Sequence, residues 1–257
     1  MILKILTILI ITISFIIFTK SFIINESFSD SLQLRFPFPS FIINLLETEE
    51  GRRRWPIISH LYPEAEKHRA IYGKEYDFSH AIKNNVLTDT WDHGKWKYNK
   101  SNIIKMTPGE MGVIMSHYKL WKRIAVSETP VVILEDDAIR TNKYSQERLD
   151  YVLKNLPKDY DIYLIGYYDI KPEKDGETNT RVKEFVLMHS YIVSPKGAQK
   201  LLDNLPVNQP LDTWISGLSN KLKIYRHNFY MTTKKGHVGL IIRQKNQGKQ
   251  IENTNII

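Results

Sequence analysis

The chain has no cysteine among its 257 residues. This absence excludes disulfide bonds, thiolate metal sites and cysteine nucleophiles from any function assigned to it. It leaves the cellular compartment open, because proteins in oxidising compartments need not use disulfides. The hydrophobic fraction of 42% and the charged fraction of 25% are ordinary for globular proteins, so the length suits one sizeable domain with small appendages.

Acidic residues are missing from one long stretch near the C-terminus. Residues 213–250 contain no aspartate or glutamate but carry many lysines and arginines, and the formal net charge of the chain is +8. Such a stretch is either a solvated basic tail or a surface that attracts the phosphates of a nucleotide or a membrane. Nucleic acid is not a predicted partner, because no nucleic-acid-binding motif accompanies the charge.

A long uncharged hydrophobic run stands at the N-terminus, over residues 5–18, between Lys4 and Lys20. Continued to residue 24 it can span a membrane, so we predict a single-pass signal-anchor over residues 1–24, with a cleaved signal peptide as the alternative. Lys4 and the terminal amine favour a cytoplasmic N-terminus. The rest of the chain is then expected on the lumenal or extracytoplasmic side, as in an ER or Golgi enzyme.

The remaining chain divides into a short stem over residues 25–39, a globular domain over residues 40–242 and a basic, polar, disordered tail over residues 243–257. Short apolar runs that read as strands alternate with helical patterns along the domain. The strand candidates are residues 41–45, 131–134, 162–165 and 191–193. This alternation predicts an α/β fold with a mainly parallel sheet flanked by helices.

One helix is signalled strongly by its first residues. Thr107 and Glu110 form a capping-box pattern, with Pro108 at the first helical position. Apolar residues then recur at helical spacing on two adjacent faces, so the helix is expected to be buried over much of its girth. His117 lies among these apolar residues, where a lone histidine is more often a core residue than a ligand.

The strand candidate that follows this helix ends in three consecutive acids, Glu135, Asp136 and Asp137. They are either a solvated acidic turn or a site for a hard divalent cation that itself holds a phosphate, since ligands of open α/β sheets bind beyond the carboxyl ends of the strands. Three adjacent carboxylates repel one another unless a cation or hydrogen-bond donors compensate. In a regular strand, Glu135 and Asp137 face one side and Asp136 the other.

Several short motifs, in this order and spacing, resemble glycosyltransferase family 25, the lipooligosaccharide and procollagen galactosyltransferase group. The most specific are Pro108-Gly109-Glu110-Met111-Gly112, Ser116-His117-Tyr118-Lys119-Leu120-Trp121 and Val132-Ile133-Leu134-Glu135-Asp136-Asp137-Ala138. Residues 41–45 with Arg52-Arg53, residues 70–74, residues 190–198 and residues 210–212 add to the resemblance. Together the motifs span residues 41–242.

The resemblance implies a GT-A-like, Rossmann-like catalytic domain that transfers a hexose, most simply galactose, from a UDP-sugar donor with inversion. The implied acceptor is a hydroxyl of a glycan, a lipid-linked sugar such as lipooligosaccharide, or a protein residue such as hydroxylysine. Mn²⁺ or Mg²⁺ is the implied cofactor, because the leaving diphosphate gains negative charge as the glycosidic bond breaks. An all-oxygen site suits either ion.

Metal and donor roles follow from the matched motifs. Glu135 and Asp137 are assigned to the metal, and Asp136 to the metal or the donor ribose. His237 could complete the metal site or contact the diphosphate, and its alternative role is a surface histidine.

The remaining donor-site candidates each have a structural alternative. Asn44 and Arg53 are assigned to the nucleotide, with a turn residue and a solvated charge as the alternatives. Glu110, Ser116 and His117 follow the family motif. For Glu110 the alternative is the capping box alone, and for His117 it is the core role given above.

An inverting transfer needs a base for the proton of the acceptor hydroxyl. Asp212, which follows a proline-containing turn, is the predicted base, and its alternative role is the N-cap of a helix over residues 213–218. Asp169 and one acid of the triad, Asp137 among them, are the other candidates for the base.

Two other function classes compete with the transferase. A non-catalytic relative would retain the fold and bind a glycan or a partner protein. A metal-dependent phosphohydrolase would need further histidine and aspartate ligands at defined spacing, which the sequence does not supply.

Overall fold

The computed structural model describes residues 33–93, 101–140, 146–169, 179–227, 237–239 and 241–243. The predicted signal-anchor, residues 25–32 of the predicted stem and residues 244–257 of the predicted tail lie outside these ranges. Within them, no helix combines the length and the apolar character that crossing a membrane requires.

The described residues form an alternation of strands and helices. The strands are β1 (Ser40–Asn44), β2 (Glu66–Arg69), β3 (Thr90–Asp92), β4 (Ile103–Lys105), β5 (Val131–Glu135), β6 (Ala138–Arg140), β7 (Ile162–Asp169), β8 (Asn179–Arg181), β9 (Phe185–Val193), β10 (Ile224–His227), β11 (His237–Gly239) and β12 (Ile241–Arg243). The helices are α1 (Glu49–Leu61), α2 (Ser79–Lys83), α3 (Pro108–Ile124), α4 (Gln146–Lys154), α5 (Pro195–Asp203) and α6 (Leu211–Gly217).

The central sheet has eight strands within the described part of the chain, in the order β2-β1-β5-β9-β7-β10-β8, with β11 also paired to β7. β1 pairs in parallel with β2 and β5, and β10 pairs in parallel with β7. β9 runs antiparallel between β5 and β7, and β8 and β11 are antiparallel to their partners. The α/β architecture is therefore confirmed with a mixed sheet, in which five strands share one direction.

Each face of the sheet buries its own hydrophobic cluster. Alternate residues of β5 divide between them, so that Ile133 packs in the cluster of α3, α5 and α6, whereas Leu134 packs in the cluster of α1 and α4. Leu34 and Phe36, from the predicted stem, are buried in the second cluster. The folded domain thus reaches back to Leu34.

Helix α3 begins as its sequence predicts. Thr107 Oγ1 accepts a hydrogen bond from the Glu110 backbone N–H, and the Glu110 carboxylate accepts one from the Thr107 backbone N–H. These two bonds form the capping box. The helix is pressed against residues 70–73, since a Cβ added at Gly112 would lie 2.6 Å from the carbonyl oxygen of Ile71. Glycine at position 112 therefore allows α3 to pack closely against the backbone of Ile71.

The C-terminal strands return to the neighbourhood of the acids. β12 pairs antiparallel with β6, which places the backbone of Arg243 opposite Ala138, one residue after Asp137. β11 pairs with β7, with His237 opposite Tyr168.

Candidate functional site

The three acids lie where β5 ends at the carboxyl edge of the sheet. The side chains of Glu135 and Asp136 are 27% and 13% exposed, and Asp137 is 2% exposed. Such burial is incompatible with a solvated acidic turn, so the acids need compensating partners inside the fold. We call Glu135, Asp136 and Asp137 together the acidic strand end.

Asp136 is held by two side chains from neighbouring elements. Its Oδ1 accepts a hydrogen bond from Arg54 Nη1 at 2.9 Å, and its Oδ2 accepts one from Asn44 Nδ2 at 2.8 Å. Burial raises the pKa of Asp136 above its ordinary value, and the Arg54 guanidinium opposes that shift. Asp136 therefore faces protein donors on both oxygens.

Arg54, rather than Arg53, is the arginine that α1 brings to the acidic strand end. The Arg54 side chain is 14% exposed and also donates from Nε to Glu50 at 2.9 Å. The Arg53 side chain is 53% exposed and pairs with Glu50 on the outside of the helix. Its donor role stays a prediction. Both arginines lie within one helical turn of Glu50 and pair with it, so spacing along the sequence did not distinguish them.

Asn44 is fully buried at the end of β1. Its amide group donates to the Gly51 carbonyl at 2.9 Å as well as to Asp136, so it fastens the start of α1 to the acidic strand end. The structure thus brings this predicted donor-site residue beside the acids and gives both its amide protons a partner.

His117 lies under the acidic strand end, on the face of the sheet covered by α3. Its Nδ1 is 2.9 Å from the Tyr191 hydroxyl, and its Nε2 is 3.6 Å from Glu135 Oε1. Burial lowers the pKa of His117 to about 3, so the imidazole is neutral at ordinary pH. It is a buried histidine, as its neighbours indicate, and it also lies at the site, as the family motif implies.

Ser116 and Glu110 have structural partners of their own. Ser116 Oγ accepts the Ile71 backbone N–H at 2.8 Å and donates to the Gly112 carbonyl at 2.7 Å, so it ties residues 70–73 to α3. Glu110 is half-buried and completes the capping box. Their predicted contacts with the donor stay predictions.

Asp212 lies in the first turn of α6. Its carboxylate accepts hydrogen bonds from the backbone N–H groups of Leu187 and Thr213. The N-cap of α6 is Pro210, so the alternative that Asp212 caps this helix is wrong. Leu187 has a φ of 53°, which a branched side chain rarely adopts, and the Asp212 hydrogen bond helps to hold that conformation.

A bulge in β9 adds a residue that the sequence patterns did not single out. Between the pairs Gly166–Ser190 and Tyr168–Val186, β9 has three residues where β7 has one. His189, in this bulge, is buried and its Nδ1 donates to the Leu187 carbonyl at 2.9 Å. It precedes Ser190, the last β9 residue paired with β5, whose partner Leu134 directly precedes Glu135. A bulge is not readable from hydrophobic alternation, which is why His189 was missed.

The donor set is compatible with a cation on a nucleotide, although it is not a complete protein cage. Within the described residues, no group of three or more histidines, aspartates and glutamates is arranged to hold a metal ion. Mg²⁺ often binds only one or two protein carboxylates, and substrate phosphates and water complete its coordination shell. Glu135 and Asp137 could supply these two carboxylates. The side chains of His237 and Asp169 lie outside the described residues.

Comparison with known proteins agrees with this geometry. The family described as "Glycosyltransferase family 25 (LPS biosynthesis protein)" matches residues 38–215. Procollagen galactosyltransferase 1-B of Xenopus laevis is 25% identical over 211 residues, which cover 76% of this chain and 33% of that protein. "Glycosyltransferase 25 family member" of Aedes aegypti is 31% identical over 125 residues, covering 45% of this chain and 20% of that protein.

A third relative is named as an inactive member of the family. "Probable inactive glycosyltransferase 25 family member 3" of Bos taurus is 23% identical over 120 residues, covering 43% of this chain and 20% of that protein. The chain spans about one third of the length of the first of these relatives. Since the family match takes in well over half of the sequence, including the acidic strand end, the chain belongs to glycosyltransferase family 25.

Proposed function

We propose that the chain is a hexosyltransferase that moves galactose from a UDP-sugar to a hydroxyl of a glycan, a lipooligosaccharide or a protein, with inversion. The acidic strand end carries the proposal, because three acids stand together at the carboxyl edge of the sheet in a chain of family 25. Galactose is chosen because relatives such as that of Xenopus laevis are named procollagen galactosyltransferases.

The proposed step is a direct displacement. The acceptor oxygen attacks the anomeric carbon, the bond from that carbon to the diphosphate breaks, and UDP leaves with the electron pair. The hydroxyl proton passes to a carboxylate, for which Asp212 is the proposed base and Asp169 or an acid of the triad the alternative. Asp212 retains lone pairs for this proton beside those that accept its two backbone N–H groups.

Glu135 and Asp137 are the proposed holders of Mn²⁺ or Mg²⁺, with His237 as a further candidate. A bound cation would offset the charge of the departing diphosphate. Asp136 is proposed for the donor ribose, because Arg54 and Asn44 already neutralise and orient it.

Asn44, Arg53, Glu110, Ser116 and His117 complete the proposed donor site. Arg54 is added to them, since it forms an ion pair with Asp136. The N-terminal signal-anchor, with the domain on the extracytoplasmic side, stays a prediction. N-terminal sequencing of the expressed protein tests it, because a new terminus near residues 21–30 would mean a cleaved signal.

A donor screen that measures UDP release tests the function. We expect release from UDP-galactose that requires Mn²⁺ and falls at least about 100-fold in Asp137→Asn. Asp203→Asn is the matched control, because Asp203 is an exposed acid on α5. Full turnover in Asp137→Asn would remove the metal assignment.

A non-catalytic role is the second candidate, and the name of the Bos taurus relative favours considering it. Within the described residues, the histidines, aspartates and glutamates also form no group of three or more that is arranged to hold a metal ion. Absence of turnover with every nucleotide sugar and several acceptors, together with measurable glycan binding, would establish this role instead.

A further inference from the structure

A chain of hydrogen bonds runs beneath the acidic strand end through three buried aromatic side chains. Trp121 Nε1 donates to the Tyr191 hydroxyl at 3.0 Å, and that hydroxyl lies 2.9 Å from His117 Nδ1. The His117 and Tyr191 rings are stacked, with centroids 5.8 Å apart and planes 14° from parallel. We call Trp121, Tyr191 and His117 the buried relay.

Counting protons along the buried relay fixes the direction of its hydrogen bonds. An indole N–H can only donate, so the Tyr191 oxygen accepts from Trp121. If the Tyr191 oxygen accepted from both Trp121 and His117, its own proton would have no acceptor among the described residues. That proton is therefore donated to His117 Nδ1, which requires Nδ1 to carry a lone pair. In a neutral imidazole the proton must therefore be on Nε2.

The other end of His117 agrees with this assignment. Its Nε2 is buried without a hydrogen bond in the described residues, and it lies 3.6 Å from Glu135 Oε1. An N–H directed at a carboxylate is favourable, whereas a lone pair facing the same carboxylate would be repelled. The gap exceeds ordinary hydrogen-bond length, and an approach of about 0.5 Å would bring the two atoms within it.

We propose that the buried relay locks His117 in the Nε2–H tautomer and thereby makes His117 a positioning residue that orients Glu135. The consequence for metal binding rests on the proposed function, because Glu135 is there a proposed ligand. The outer-shell partner of a ligating carboxylate fixes the carboxylate's orientation, and its loss typically weakens metal binding by 10- to 100-fold.

Nitrogen-15 NMR of the metal-free chain tests the tautomer without any activity. The signals of His117 are assigned by their disappearance in His117→Gln. We expect Nδ1 to resonate as an unprotonated and Nε2 as a protonated ring nitrogen at neutral pH. Tyr191→Phe should give a mixture of tautomers, and a cooperative thermal unfolding transition shows that this variant is folded. A protonated Nδ1 in the unaltered chain would overturn the proposal.

Mn²⁺ affinity in the presence of UDP, measured by electron paramagnetic resonance, tests the positioning role. His117→Phe retains the aromatic ring but lacks the N–H, so the dissociation constant should rise about 10-fold. His117→Gln, whose amide can replace the Nε2–H, should recover most of the affinity, and exposed His80→Gln should change nothing.

The outcomes separate the two hypotheses. Wild-type affinity in His117→Phe would overturn the positioning role while leaving the proposed transferase intact. No Mn²⁺ binding by the unaltered chain would count against both the coupling to Glu135 and the cation-assisted function, whereas the tautomer is decided by the NMR spectrum alone.

Discussion

At the scale of single residues, adjacent arginines of α1 should differ sharply. Arg54→Met removes the hydrogen bonds to Asp136 and Glu50 and leaves Asp136 short of a cation in a buried position. We expect a loss of roughly 2–4 kcal/mol in the free energy of unfolding by urea. Arg53→Met, in the exposed pair with Glu50, should leave the unfolding midpoint within experimental scatter. Equal effects would contradict the assignment of Arg54 to the site.

The protonation of His117 should make stability pH-dependent in the metal-free chain. Burial lowers its folded pKa to about 3 from the unfolded value of 6.5, so between these pH values the unfolded chain binds more protons. The contribution of neutral His117 to the free energy of unfolding is thus fully present above pH 6.5. Below that pH the free energy of unfolding falls, with a slope near 1.4 kcal/mol per pH unit. Urea unfolding in EDTA from pH 7 to pH 4.5 should show a shallower dependence in His117→Gln than in exposed His80→Gln. Equal slopes would mean that the folded chain protonates His117.

Asp212 can be tested as a base separately from its structural role. In Asp212→Asn the amide oxygen can still accept the Leu187 N–H, while the proton acceptor for the reaction is lost. We expect kcat to fall by about 100-fold or more. The melting temperature should fall by only a few degrees, because the new NH2 group cannot accept the Thr213 N–H. A kcat within about threefold of the unaltered chain would transfer the role to Asp169 or to an acid of the triad.

At the scale of elements, the packing of α3 against residues 70–73 requires glycine at position 112 but not at position 109. Gly112→Ala would bring a methyl group against the Ile71 carbonyl, whereas a methyl group at Gly109 would lie 3.8 Å from Thr107 Oγ1, an ordinary van der Waals distance. Gly112→Ala should therefore destabilise the fold by about 1–3 kcal/mol. Gly109→Ala should be neutral or slightly stabilising, since alanine is the better helix former. Thermal unfolding of both variants distinguishes a steric contact from helix propensity.

Some elements of the fold could be predicted from sequence patterns and others could not. β1, β5 and α3 were predictable within one or two residues, because apolar runs and a capping box are local signals. The direction of β9 was not, since an apolar run reads the same in either direction and only its partners in space reveal the reversal. The inward turn of Arg54 and the placement of His189 depend on helix phase and a bulge, which involve contacts far apart in sequence.

At the scale of the whole molecule, the backbone of the acid-free stretch returns to the edge of the sheet where the acids lie. The acid-free residues 213–250 include β11 and β12, and β12 pairs with β6 directly after the acidic strand end. The basic stretch is therefore not wholly a solvated tail, as its composition alone allowed. Its return beside the acids would suit the proposed binding of a negatively charged diphosphate.

This return gives a testable limit to the folded chain. A chain ending after Arg243 keeps both terminal strands, and we expect it to melt with the full-length chain. A chain ending after His227 loses β11 and β12, so β6 and one side of β7 lose their partners and expose backbone N–H and C=O groups. Its melting temperature should fall by at least about 5 °C, with increased aggregation on heating. Equal melting temperatures for the two truncated chains would mean that β11 and β12 lie against the sheet without stabilising it, and the basic stretch would then matter for substrate binding alone.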